Sequence, residues 1–231
     1  MATAVKTRSA RRIRMWWAGW ATLAISAAGI AVYSVPAYLT GDPADSRLPL
    51  NPDVALHYLS IALHALPAGL VLVLGPFQFV PALRNRYRAL HRIVGRVYMI
   101  SVVFASVAAV LATTFSVNGF SAQVAFYLLT AAWLYSLAQA YRTIRRGQVR
   151  LHRIWMIRNY ALSFAAVMLR VFLILGLAAR SRYEWLTVES VYTTSAWASI
   201  LVSAAVAEWF IVQRTLAARA QRPTAGAGPV A

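Results

Sequence analysis

The chain has no cysteine, so disulfides, thiolate metal sites and cysteine nucleophiles are excluded, and nothing marks its redox compartment. Acid is almost as scarce, with six Asp and Glu against 23 Lys and Arg and a formal charge of +17. The scattered carboxylates make no catalytic pair, and with four histidines they form no zinc-ligand spacing. A phosphate-binding glycine loop, the dinucleotide glycine signature and a nucleophile elbow are also missing, so hydrolase, kinase and ordinary dehydrogenase chemistry have no support. The enzyme class that stays open is a membrane oxidoreductase. Charged residues make up only 13% of the 231 residues and hydrophobic ones 60%, with a mean hydropathy of +0.59. That balance excludes an ordinary soluble domain.

What is there is a series of apolar runs. A bilayer core takes about 20 apolar residues per helix, and six segments qualify, roughly 15–35, 54–80, 94–115, 122–141, 154–178 and 191–213. The links are too short for a soluble catalytic domain. The expected organisation is a basic tail over 1–14, one transmembrane domain over 15–213, and a tail over 214–231 that is disordered from Arg222. The first run is too long for a signal core and lacks a clear small-x-small cleavage site, so it reads as a retained helix.

Basic residues lie between these runs rather than on a polar domain, which points to anionic lipid and away from nucleic acid. Five fall in the N-terminal tail, five in 81–96, six in 142–158 and three in the C-terminal tail, all on one side. Arg47, Arg180 and Arg182 lie opposite with five of the six acids, and Arg170 is inside a span. The positive-inside rule then expects both termini in the cytoplasm and the protein in the inner membrane. Trp16, Trp17 and Trp20 are expected interfacial anchors.

The second-to-third and fourth-to-fifth spans repeat at a spacing of 61. Gln78 matches Gln139, Arg84 matches Arg145, and Leu90-His91-Arg92-Ile93 matches Leu151-His152-Arg153-Ile154. A parallel repeat of this kind implies two hairpins related by an axis along the membrane normal. The fold expected is all-α and integral to the membrane, with a central four-helix bundle built from the two hairpins.

The run His64, Gly75-Pro76-Phe77-Gln78-Phe79, Leu90-His91-Arg92, Gly95-Arg96-Val97-Tyr98, His152 to Arg158 and Arg170 resembles the bacterial predicted membrane proteins of domain of unknown function 2306. The resemblance covers about residues 55–212 and brings no activity with it. A partial similarity links the chain to six-span transmembrane cytochromes b, which carry a histidine on each of four central helices. Here Ala125 stands at the position equivalent to His64.

Helical projection places the polar residues on inward stripes, because lipid penalises them. The stripes are His57, His64, Val71, Gly75 and Gln78; His91, Gly95, Tyr98 and Val102; and His152, Trp155, Asn159, Ser163 and Arg170. At about 1.5 Å per residue, His91 and His152 lie at the cytoplasmic mouth. His64 and Arg170 share a greater depth, and Glu208 matches Arg158, with which an ion pair is expected. His57, beside Asp53, is expected to be solvated.

Two readings follow. In one, His91 and His152 are axial ligands of a haem b iron, with Gly95 giving clearance and Arg96 and Arg158 meeting propionates, in a haem- or quinone-linked electron carrier. In the other, His64, Arg170, Gln78 and Asn159 bind a small substrate, Arg170 being a fixed positive charge for an anion. A structural or lipid-binding role of the Leu-His-Arg segments, as caps on anionic headgroups, is the third alternative.

Overall fold

The computed structural model describes residues 2–220. Six long helices, α1 (Ala2–Ser34), α2 (Leu56–Gln78), α4 (Arg88–Thr114), α5 (Phe120–Arg145), α6 (Val149–Arg180) and α7 (Val188–Ala220), are accompanied by the short α3 (Pro81–Arg86). Each long helix contains a stretch apolar enough to cross a membrane, 23 to 32 residues in length. The basic segment before Met15 continues α1 as helix rather than forming a separate tail, and the tail expected to be disordered from Arg222 lies outside the described residues.

Turn chemistry sets the reversals. Gly119 and Gly147 have φ of +84° and +71°, a region that a Cβ disfavours, and they sit where α4 turns into α5 and α5 into α6. Pro81 opens α3 at a position where its missing N–H costs nothing.

The helices α2, α4, α5 and α6 form a ring in which each packs on the next, while α1 packs on α2 and α6, and α7 on α6 and α5. The two hairpins of the repeat, α2 with α4 and α5 with α6, therefore make the central bundle, and α4 and α6 face each other diagonally. One end carries the 79–87 and 146–148 links and is the basic face. The other carries the 35–55, 115–119 and 181–187 links and is the loop face.

Small and β-branched residues fill the interior, with Val71, Tyr98, Val102 and Ala105 fully buried. The outside is apolar too: Ile25, Phe104 and Ile174 are about two thirds or more exposed, at 72%, 67% and 67%. Such a surface is an aggregation liability in water and the natural solvent face in lipid. On α7, Ser195, Ser199, Ser203 and Ala207 turn inward as a small-residue stripe, which lets α7 approach its neighbours closely.

A proline ties three helices together. Pro76 has no N–H to donate to the Leu72 carbonyl four residues back. That carbonyl instead accepts a 3.1 Å hydrogen bond from the Tyr160 hydroxyl of α6. The carbonyl of Pro76 itself accepts a 2.9 Å bond from Trp20 Nε1 of α1. Trp20 thus does more than anchor at an interface. Gly75 provides the room for the Tyr160 ring beside it.

Candidate functional site

Repeat-related residues that touch must straddle the axis relating the two hairpins. Tyr98 and Asn159, 61 positions apart, do so: the Tyr98 hydroxyl donates to Asn159 Oδ1 at 2.8 Å. Asn159 Nδ2 donates to the Trp133 carbonyl at 2.8 Å and to Ser136 Oγ at 2.9 Å. Ser163 Oγ accepts from Trp133 Nε1 at 2.9 Å and lies 3.3 Å from the Tyr98 hydroxyl. Every polar atom of the Asn159 amide is therefore engaged, at 0% exposure. A satisfied buried network of this kind locks the rotation of α4, α5 and α6 about the axis. Asn159, expected among substrate ligands, serves this network.

Between the network and the loop face lies a cavity of about 210 Å³. His64 of α2 and Arg170 of α6 both line it, so the two residues matched in depth along the sequence share one site. Trp133, Ser163, Thr130 of α5 and Tyr192 of α7 also line it, while Ala68, Ala109, Ala165 and Ala166 leave the space open. At the loop face Leu48, Pro49, Ser116 and Asn118 form its edge.

The chemistry of its two strongest groups is complementary. His64 Nδ1 is 2.8 Å from the Ala105 carbonyl, which can only accept, so Nδ1 carries the proton and donates. This leaves Nε2 facing the cavity with a lone pair, able to accept from a ligand hydroxyl, or to donate to an anion once the ring takes up a second proton. Arg170 has one hydrogen bond among the described residues, a 3.3 Å donation from Nη1 to the Ala166 carbonyl. No carboxylate pairs with it among the described residues, where Arg158 and Glu208 form the ion pair. A guanidinium at membrane depth with one backbone contact and a cavity in front of it has donors to spare.

His57 reaches the same cavity from the loop end of α2. Contrary to the expectation of a solvated residue, it is 2% exposed, because the 46–54 link folds over it and the Asn51 N–H donates to its Nδ1 at 2.8 Å. Gln78, at the opposite end of α2, lies against Gly95 and not in this cavity.

At the basic face, His91 and His152 stand on the facing helices α4 and α6 and interact electrostatically. His152 Nδ1 donates to the Ala140 carbonyl of α5 at 2.8 Å. Arg158 is engaged elsewhere: Nη2 donates to Glu208 Oε2 at 2.9 Å, Nε donates to Oε1, and the guanidinium lies 4.6 Å from the Trp155 ring centre. The guanidinium also expected to meet haem propionates is thus paired with Glu208 of α7. Arg96 is exposed on α4.

Thr130 carries no signal in the sequence, and Tyr192, with Tyr183 and Trp185, is expected from sequence only as an interfacial anchor. Tyr192 looks like an interfacial aromatic at the start of a span, and only the packing of α7 on α5 and α6 turns it inward. The Tyr98–Asn159 contact was accessible by carrying the 61-residue repeat five residues beyond the Leu-His-Arg-Ile match.

The fold and site define a polytopic α-helical membrane protein with a cavity inside a pseudo-symmetric four-helix bundle. A family model described as Predicted membrane protein (DUF2306) matches residues 61–211, and the chain belongs to that family. The comparisons with curated proteins and with solved structures found no match.

Proposed function

We propose that the protein binds a small amphipathic organic anion in the loop-face cavity and serves as a membrane-embedded binder or transporter for it. The observation that carries this reading is Arg170 without a carboxylate partner among the described residues, lining one cavity with His64. An intramembrane cation needs a counter-charge, and an anionic ligand provides one. The lining beyond Arg170, His64, Thr130 and Tyr192 is mostly apolar, which suits the hydrocarbon part of such a ligand. At about 210 Å³ the space is below the roughly 300–1,000 Å³ of drug-sized pockets, so a single ring or short chain is the fitting size.

Benzoate and its uncharged counterpart benzyl alcohol test the reading. Calorimetry on the purified protein is expected to detect benzoate and to find benzyl alcohol bound at least about tenfold more weakly, since a charge-assisted hydrogen bond is worth about 1.5–3 kcal/mol. Equal affinity for the two would remove the role given to Arg170. His64→Ala is expected to weaken benzoate binding non-additively with Arg170→Leu. The electron-carrier reading requires a sharp dithionite-induced alpha band from haem b held by His91 and His152, and the present reading expects none.

The location proposed is the inner membrane with both termini cytoplasmic, which the concentration of basic residues on one face supports. A reporter active only in the periplasm, fused after Arg146, should be silent. Activity there would invert the topology and place the cavity on the cytoplasmic side.

A further inference from the structure

Four basic side chains, Arg84, His91, His152 and Arg153, gather at the basic end of the bundle with no acid among them. His91 interacts electrostatically with His152, Arg84 and Arg153, and Arg84 with Arg153. Of the six acids, Asp42, Asp45, Asp53, Glu184 and Glu189 belong to the loop face, and Glu208 is held by Arg158. No Asp or Glu among the described residues is therefore left to neutralise the cluster.

Two unused polar atoms stand with these groups. Gln78 is 8% exposed, and its Nε2 is buried without a hydrogen-bond partner among the described residues. Its Oε1 lies 3.4 Å from where a Cβ on Gly95 would be, one turn of α4 from His91. His91 Nδ1 is likewise buried without a partner among the described residues. Buried donors are ordinarily satisfied, so an unmet amide N–H at the same end of the bundle as unneutralised cations points to an absent acceptor that carries negative charge. The N-terminal ends of α4 and α6 open at the same place and add the positive ends of two helix dipoles.

We infer that this mouth binds a phosphate group, held between Arg84, Arg153, the His91 imidazole and the Gln78 amide, with the bare Nε2 of His152 left to accept from a protonated phosphate oxygen. Donors arrive from α2, α3, α4 and α6, more directions than the two oxygens of a carboxylate serve. A phosphate monoester offers three oxygens and close to two negative charges, matching two arginines. The position at a membrane face admits two sources with this chemistry, the headgroup of a phosphomonoester lipid and free phosphate. The site is separate from the loop-face cavity, because the Tyr98–Asn159 network closes the axis between them.

The test uses the full chain in nanodiscs. In pure phosphatidylcholine and phosphate-free buffer, inorganic phosphate is titrated by calorimetry. In a second arm, discs also containing phosphatidic acid are analysed by native mass spectrometry for lipid retained on the protein. Arg153→Gln and Gln78→Glu are each expected to lower binding about tenfold or more. Arg145→Gln, on the same face but outside the cluster, should change it by less than about twofold. Gln78→Glu also keeps the proposal falsifiable if other variants misfold: it places the missing negative charge inside the site, so thermal stability without phosphate should hold or rise while binding is lost. Binding in the first arm alone assigns the site to free phosphate, and binding in the second alone assigns it to a lipid headgroup. The inference is overturned if wild type takes up neither probe, or if Gln78→Glu binds as wild type does. Equal effects of Arg153→Gln and Arg145→Gln would also overturn it, as would a haem alpha band that His152→Ala abolishes.

Discussion

Gly75→Ala is expected to be among the most damaging single substitutions in the protein. A methyl group on Gly75 would overlap the Tyr160 ring. The ring has little room to swing away, since its hydroxyl is tied to the Leu72 carbonyl at 3.1 Å and it packs against Phe79 edge-on and Phe164 tilted, with centroids at 5.6 and 6.4 Å. Overpacking costs about 1–3 kcal/mol and at rigid sites more, and displacing Tyr160 would also leave the Leu72 carbonyl unpaired, adding about 1–3 kcal/mol. Thermal unfolding in detergent should show a large loss for Gly75→Ala. Tyr160→Leu should cost less by itself and should relieve most of the Gly75→Ala penalty in the double variant. Additive losses would mean that the ring is not what opposes the methyl group.

Arg170→Leu should separate stability from binding. Removing a charged group that has no ionic partner among the described residues, and replacing it with a side chain that packs, is expected to stabilise the ligand-free protein. Comparable replacements of buried charge by apolar groups have been neutral or stabilising by about 1–4 kcal/mol. Benzoate binding should fall about thirtyfold or more, because truncating a buried charge pair at a binding site costs about 2–5 kcal/mol. Higher unfolding temperature together with lost binding is the expected signature. A variant that is destabilised and still binds would show Arg170 to be a packing element. Lysine at this position keeps the charge but not the planar fork of donors, so Arg170→Lys is expected to recover only part of the binding.

Much of the architecture was legible along the chain. The number of spans follows from runs of about 20 apolar residues set by bilayer thickness. The uneven distribution of Lys and Arg separated the two faces, and the 61-residue repeat identified the central hairpins. The shared depth of His64 with Arg170, and of Arg158 with Glu208, followed from helix rise alone, because spans crossing one slab have a common origin for counting. These are one-dimensional properties, period, length and charge.

Rotation and register about the helix axes are not one-dimensional, and they were decided only by packing. Asn159 looked like a ligand because it is polar and inward, but the close approach of α4, α5 and α6 gives all its hydrogen bonds to Tyr98, Trp133 and Ser136. His57 looked solvated beside Asp53 until the link before α2 folded back and capped it with the Asn51 N–H. The proline at 76 leaves the Leu72 carbonyl without its helical donor, yet nothing local indicates that Tyr160, 88 positions away, satisfies it. Tyr192 entered the cavity because α7 packs against α5 and α6 through small residues. Hydropathy says that a polar group must turn inward, since lipid offers it no partner. Which partner it meets there depends on where small residues let two helices approach, a property of pairs of helices and not of either one.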